Sequence, residues 1–149
     1  MTPGTYLAKR RRAACYSLTQ AVAALGTHPA LEELRTRPVA AGDFNRLYAR
    51  LAAAEADKDN LTISQVVLLQ HLFPLDIDVY ERLLLTFHGV TAFGTPRVCR
   101  ECACSWHDAC LTDRGPCAWS ETKPDLCTAC EATAARADWP DAPLPEGVS

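Results

Sequence analysis

The chain has 149 residues, 48% hydrophobic and 22% charged, with a formal net charge of −3. That length supports one modest core and a small appendage. Apolar runs such as Val66-Val67-Leu68-Leu69 stay far short of the roughly 18 residues that span a bilayer. The basic stretch Lys9-Arg10-Arg11-Arg12 leads into mixed sequence rather than the apolar core of a secretory signal. A membrane protein and a secreted one are set aside, and a cytoplasmic chain is expected.

Charge is unevenly spread. Residues 1 to 50 hold eight Lys/Arg against three acids, so the remainder is strongly acidic. A basic first third suits a polyanionic partner, and a solvated helix face produces the same count.

In chain order, residues 5 to 14 are helix-compatible and basic, with Tyr6, Leu7, Ala13 and Ala14 as a narrow apolar stripe. Ser17 is placed to cap a second helix over 18 to 25. Gln20 stands at the capping-box position, Leu18, Val22 and Leu25 share a face, and Gly26 closes the helix. Residues 27 to 42 contain Pro29, Pro38 and Gly42 around a short helical piece from Ala30 to Arg35, a structured connection. Asp43 is the expected cap of a helix from Phe44 to Ala56, where Phe44, Leu47, Tyr48 and Leu51 recur at helical spacing and Asn45, Arg46 and Arg50 take the polar side. Thr62 or Ser64 caps the next, through Val66, Val67, Leu69 and Leu72 to Pro74. Asp76 or Asp78 starts a further helix through Val79, Leu83, Leu84 and Phe87. Gly89, Gly94 and Pro96 mark a boundary. The expected organisation is a helical domain over 5–90, a cysteine-rich module over 97–132 and a flexible tail over 133–149.

The stretch Leu7-Ala8-Lys9-Arg10-Arg11-Arg12-Ala13-Ala14-Cys15-Tyr16-Ser17-Leu18-Thr19-Gln20-Ala21-Val22-Ala23 resembles the opening of Cro/C1-type (XRE-like) helix-turn-helix domains. These have a basic first helix, a turn residue that is often glycine, then an apolar-Ser-x-x-Gln second helix. Leu51 to Glu55 and Leu61 to Leu83 are similar to the end of that family's recognition helix and to its closing helices. Two features depart from it: residues 26 to 42 stand where the family has a short turn, and Cys15 stands where glycine eases the chain into a left-handed conformation. The resemblance implies a sequence-specific regulator of transcription that binds double-stranded DNA. Asn45, Arg46 and Arg50 would face bases or phosphates, with Tyr48 against the sugar-phosphate edge. Thr19 and Gln20 would fix register on the backbone, and Arg10, Arg11 and Arg12 would contact phosphate.

Eight cysteines are present, seven of them between Cys99 and Cys130. Cys99-x2-Cys102 and Cys127-x2-Cys130 are paired thiolate hooks, and two such turns complete a tetrahedral four-sulfur site. The 24 residues between them exceed the usual spacer of about 15–20, and within them Cys104, His107, Cys110 and Cys117 offer a second ligand set. One zinc ion, or two, is expected in a small zinc-ribbon-like module, with an iron–sulfur cluster as the alternative. Disulfides do not suit a cytosolic chain. The segment is similar to short cysteine-rich tails on small phage and prophage proteins, a match that includes Gly115, Cys117, Trp119, Asp125 and Leu126.

His28, His71, His88 and His107 lie in no nucleophile or general-base constellation, and the acid pairs Asp57/Asp59 and Asp76/Asp78 occupy turn and cap positions. The chain reads as a non-enzyme: mainly α, a small helical bundle with a helix-turn-helix followed by the metal module. Two competing readings are a protein–protein adaptor with a zinc ribbon and a thiol or iron–sulfur redox sensor. Association into a homodimer is compatible with either.

Overall fold

The computed structural model describes residues 1–27 and 41–137. Among them run six helices: α1 (Pro3–Ala13), α2 (Leu18–Thr27), α3 (Ala41–Glu55), α4 (Ile63–Leu69), α5 (Ile77–Phe87) and α6 (Thr128–Ala137). Among the described residues the one ladder is a two-stranded antiparallel hairpin, β1 (Leu111–Thr112) with β2 (Gly115–Pro116). The expected helical piece at 30–35, the connection over 28–40 and the tail from 138 lie outside the described residues.

Local chemistry sets the helix starts. Pro3 opens α1, two residues earlier than the hydrophobic pattern suggested, because its fixed φ suits a first helical position and its missing N–H costs nothing there. The Thr2 hydroxyl accepts from the Thr5 N–H as N-cap. Ser17 and Gln20 form the expected reciprocal box at α2: the Ser17 N–H donates to Gln20 Oε1 at 2.8 Å, and the Gln20 N–H donates to Ser17 Oγ at 3.1 Å. Thr62 with Gln65 repeats that device at α4, and Asp76 caps α5. Of the paired candidates in the sequence, Thr62 and Asp76 are therefore the ones used. At the end of α1, Cys15 takes φ 61° and the Tyr16 N–H returns to the Arg11 carbonyl at 3.1 Å. This is the left-handed closure that usually employs glycine.

The core gathers Tyr6 and Leu7 of α1, Ala21 and Val22 of α2, Leu51 and Ala54 of α3, then Leu61, Val66, Leu69, Phe73, Leu75, Val79, Tyr80 and Leu83. Its two tyrosines are buried with their hydroxyls satisfied. The Tyr6 hydroxyl accepts from the Asp76 N–H at 2.8 Å and donates to the Asp76 carbonyl at 3.3 Å, and Tyr80 holds the N–H and carbonyl of Leu61 in the same way. Burial pushes both phenol groups above their ordinary titration range. Each tyrosine thereby fixes a backbone segment to a helix distant in sequence.

The start of α1 lies against the end of α3. The Gly4 N–H donates to Asp57 Oδ1 at 2.8 Å and the Thr2 hydroxyl to Asp57 Oδ2 at 2.5 Å. A Cβ on Gly4 would stand 2.3 Å from the Ala54 carbonyl oxygen. On propensity alone Gly4→Ala should stabilise a helix by up to about 1 kcal/mol. Here it forces the two helices apart, and a loss of about 1–3 kcal/mol is expected in urea unfolding.

Candidate metal centre

Each cysteine is placed by a local constraint. Arg100 to Cys102 form a tight turn closed by the Ala103 N–H on the Cys99 carbonyl at 2.9 Å, and the Cys99 N–H returns to the Cys104 carbonyl at 2.9 Å. Ala103, between Cys102 and Cys104, has φ 60°. That left-handed residue reverses the chain and directs both flanking thiols into one cluster. Cys110 and Cys117 flank the hairpin, joined by Cys117 N–H to Cys110 carbonyl at 2.8 Å and by Cys110 N–H to Cys117 Sγ at 3.1 Å. Cys127 precedes α6 and bridges to Trp119, and Cys130 lies in the first turn of α6.

The sulfurs meet in one knot. Cys102 lies 3.8 Å from Cys127 and 3.3 Å from Cys110, and Cys104 lies 3.7 Å from Cys117. Four thiolates at about 2.3 Å from a zinc ion stand about 3.8 Å from one another, so the Cys102–Cys127 and Cys104–Cys117 separations match such an edge, while the Cys102–Cys110 contact is shorter. Two quartets have all sulfurs within 4.8 Å: Cys99/Cys102/Cys104/Cys127 and Cys104/Cys110/Cys117/Cys127. All eight cysteines are free thiols, and Cys15 is exposed at the end of α1. The knot can hold a metal ion.

Electrostatics agree with a site that binds by exchanging protons for metal. The Cys102 thiol is lowered to about 4, chiefly because the Cys104 thiol donates to its sulfur, with Cys110 and Cys130 adding to it. Donation to Cys102 and burial raise Cys104 in turn, while burial raises Cys99, Cys117 and Cys130 and lifts Cys110 to about 12. A dication displaces the thiol protons because it compensates the desolvated charge.

His107 is not part of the knot. Its side chain is exposed in a cleft with Gln70, Asp76, Asp78 and Asp108, on the side facing α5. Cys104 takes the place expected for Cys130 in the first quartet, and Cys127, expected in the first set alone, is also the fourth sulfur of the second. The expected ribbon is likewise reduced to the two-residue hairpin and the Trp119–Cys127 bridge.

The module is docked onto the bundle. Ala103 belongs to the helical core itself. Lys9 Nζ donates to the Glu101 carbonyl at 3.0 Å, and Ser105 Oγ to Asp76 Oδ2 at 2.7 Å. Arg10, 3% exposed, donates from Nε to the Pro74 carbonyl at 2.9 Å and pairs its Nη2 with Asp108. Neighbouring Arg11 spends its guanidinium on both oxygens of Glu55, at 2.6 Å each, and on the Tyr16 carbonyl at 2.7 Å. The expectation that Arg10 and Arg11 reach phosphate is therefore not met: both are buried and paired within the chain, and only Arg12 of the three is exposed.

The other residues assigned to DNA are exposed: Thr19 and Gln20 on the first turn of α2, and Asn45, Arg46, Tyr48 and Arg50 on α3. Arg50 reaches Gln65 Oε1 at 3.4 Å. Helices α2 and α3 pack together, and the chain that would form the turn between them lies outside the described residues. No described helix is long and apolar enough to cross a membrane.

No family model, curated protein or solved structure matches the chain.

The docking contacts make the metal module part of the stability of the whole. Asp108→Ala leaves the Arg10 charge buried without its partner, and a cost of about 3–5 kcal/mol is expected, measured as a shift of the urea midpoint. Chelation should remove the near-ultraviolet dichroism of Trp119 and lower the unfolding temperature of the helices in the same experiment.

Proposed function

We propose that this chain is a non-catalytic adaptor: zinc held by the cysteine knot fixes the module on the helical bundle, and the outward face of α3 engages a partner protein. The observation that carries the first half is the surplus of sulfur. Each quartet is completed by protein thiols alone. A catalytic zinc keeps a position for water or substrate, and four thiolates close the sphere of a structural one. The sulfur separations favour zinc over an iron–sulfur cluster, because four thiolates on one ion stand a tetrahedral edge apart, whereas a cluster interposes several irons and sulfides between its cysteines.

The second half rests on α3. Leu47 and Tyr48 are 38% and 39% exposed, between Arg46 and Arg50. Tyr and Arg beside apolar surface are the residues that protein interfaces favour. With Arg10 and Arg11 internally paired, the positive charge of the first third available to a polyanion is much smaller than the sequence implies.

The same face favours a second reading, a DNA-binding regulator, since exposed Asn45, Arg46 and Arg50 can pair with base edges or phosphate. The two are separated with the purified metal-loaded protein. The adaptor reading expects a stoichiometric protein complex that Tyr48→Ala weakens at least tenfold, with duplex affinity at the non-specific level. Duplex affinity that falls steeply with salt and is lost in Arg46→Ala and Arg50→Ala overturns it in favour of the regulator. Visible absorbance with bound iron overturns the zinc assignment and promotes the redox sensor.

A further inference from the structure

We propose that the cysteine knot holds two metal ions that share the thiolate of Cys127. The inference deepens the reading of the knot as a zinc centre and rests on it. Two tetrahedral ions require eight coordination positions, and the segment from Cys99 to Cys130 contains seven cysteines. The one imidazole there, His107, is exposed on the far side against Asp76 and Asp78. Seven thiolates satisfy eight positions when one of them bridges.

The geometry narrows the bridge to two sulfurs. Cys104 and Cys127 are the two sulfurs common to both quartets. Cys130 lies in the first turn of α6, three residues after Cys127, and its thiol interacts with that of Cys127. Cys130 packs in the same buried cluster and its thiol interacts with Cys102. With Cys130 completing Cys99, Cys102 and Cys127, Cys104 is released to Cys110 and Cys117, and Cys127 alone is shared. Its position fits that role: it is 1% exposed, 3.8 Å from Cys102 of one set, and within 4.8 Å of Cys104, Cys110 and Cys117 of the other.

Chemistry favours the shared arrangement over a single ion. One ion takes four thiolates and leaves three thiols pressed against them, in a module whose buried side chains are mostly sulfur. Two dications recruit all seven; each thiol releases its proton to solvent on binding, and two M²⁺ offset four of the seven negative charges. Backbone donors support terminal sulfurs on both sides, the Cys127 N–H on Cys99 Sγ at 3.4 Å and the Cys110 N–H on Cys117 Sγ at 3.1 Å.

The test uses the full chain. Native mass spectrometry of protein purified without added chelator should show two zinc ions per chain. After exchange for an NMR-active cadmium isotope, two resonances should split one another, since scalar coupling between the metals passes only through a shared sulfur. Cys110→Ser should retain one ion, whereas Cys127→Ser should weaken both sites and abolish the coupling. One ion per chain, two uncoupled resonances, or coupling that persists in Cys127→Ser overturns the proposal while leaving a structural metal intact. A folded protein with no bound metal, its helical dichroism and Trp119 signal unchanged by chelator, overturns the underlying zinc reading as well. Should Cys127→Ser fail to fold, the stoichiometry and coupling of the unaltered chain decide the matter.

Discussion

The cysteine-rich segment has to build its core from sulfur. Leu126 is its only large aliphatic side chain buried in the knot, Trp119 is half-buried, and Trp106 and Leu111 are turned out to solvent. Ordering a residue costs about 1–2 kcal/mol in backbone entropy alone, far more than this little apolar burial returns. Metal–thiolate bonds at a site able to hold an ion would make up the difference, since structural zinc contributes on the order of 10–16 kcal/mol in small peptides. Turn, hairpin and helix start are the means by which this chain brings seven sulfurs within reach of one another.

What the knot stabilises reaches beyond its own module. Asp76 is the meeting point: its backbone is held by Tyr6 of α1, one carboxylate oxygen caps α5, and the other accepts from Ser105 of the metal loop. Arg10 spans the same junction from Pro74 to Asp108. Burial raises the Asp108 carboxyl while the Arg10 charge opposes that rise. A run of basic residues that would draw a polyanion if it were exposed thus serves mainly as internal fastening.

Much of the helical part was legible because its signals are local. Ser17, Thr62 and Asp76 announce helix starts by chemistry that acts within three residues, and Cys15 marked a left-handed position by standing where glycine is usual. The spacing of Cys99/Cys102 and Cys127/Cys130 was legible as a source of clustered thiols, but Cys104, two residues from Cys102, stands in the first quartet where the spacing had put Cys130. The fate of Arg10 and Arg11 was not legible, because their partners Asp108 and Glu55 lie far along the chain and a basic tripeptide reads the same buried or exposed. The role of Cys127 in both quartets was also hidden. Spacing shows which sulfurs can meet across a turn, and only the folded loop shows that Cys104 and Cys127 fall in both quartets. His107 was a natural candidate by sequence position, but the left-handed turn at Ala103 and the bonds of Ser105 and Asp108 to the bundle leave it facing outward.

Ala103 carries a consequence for how the molecule is made. It is fully buried in the helical core, yet it belongs to the tightest part of the metal loop, between Cys102 and Cys104. During synthesis the helices up to Phe87 leave the ribosome before this residue and well before Cys127 and Cys130. The early bundle therefore lacks one member of its core, and Arg10 has not yet met Asp108. Supplying that member requires a loop whose shape depends on sulfurs made some two dozen residues later. Packing of the helical core thus runs backwards along the sequence: a loop made after the helices completes what they began.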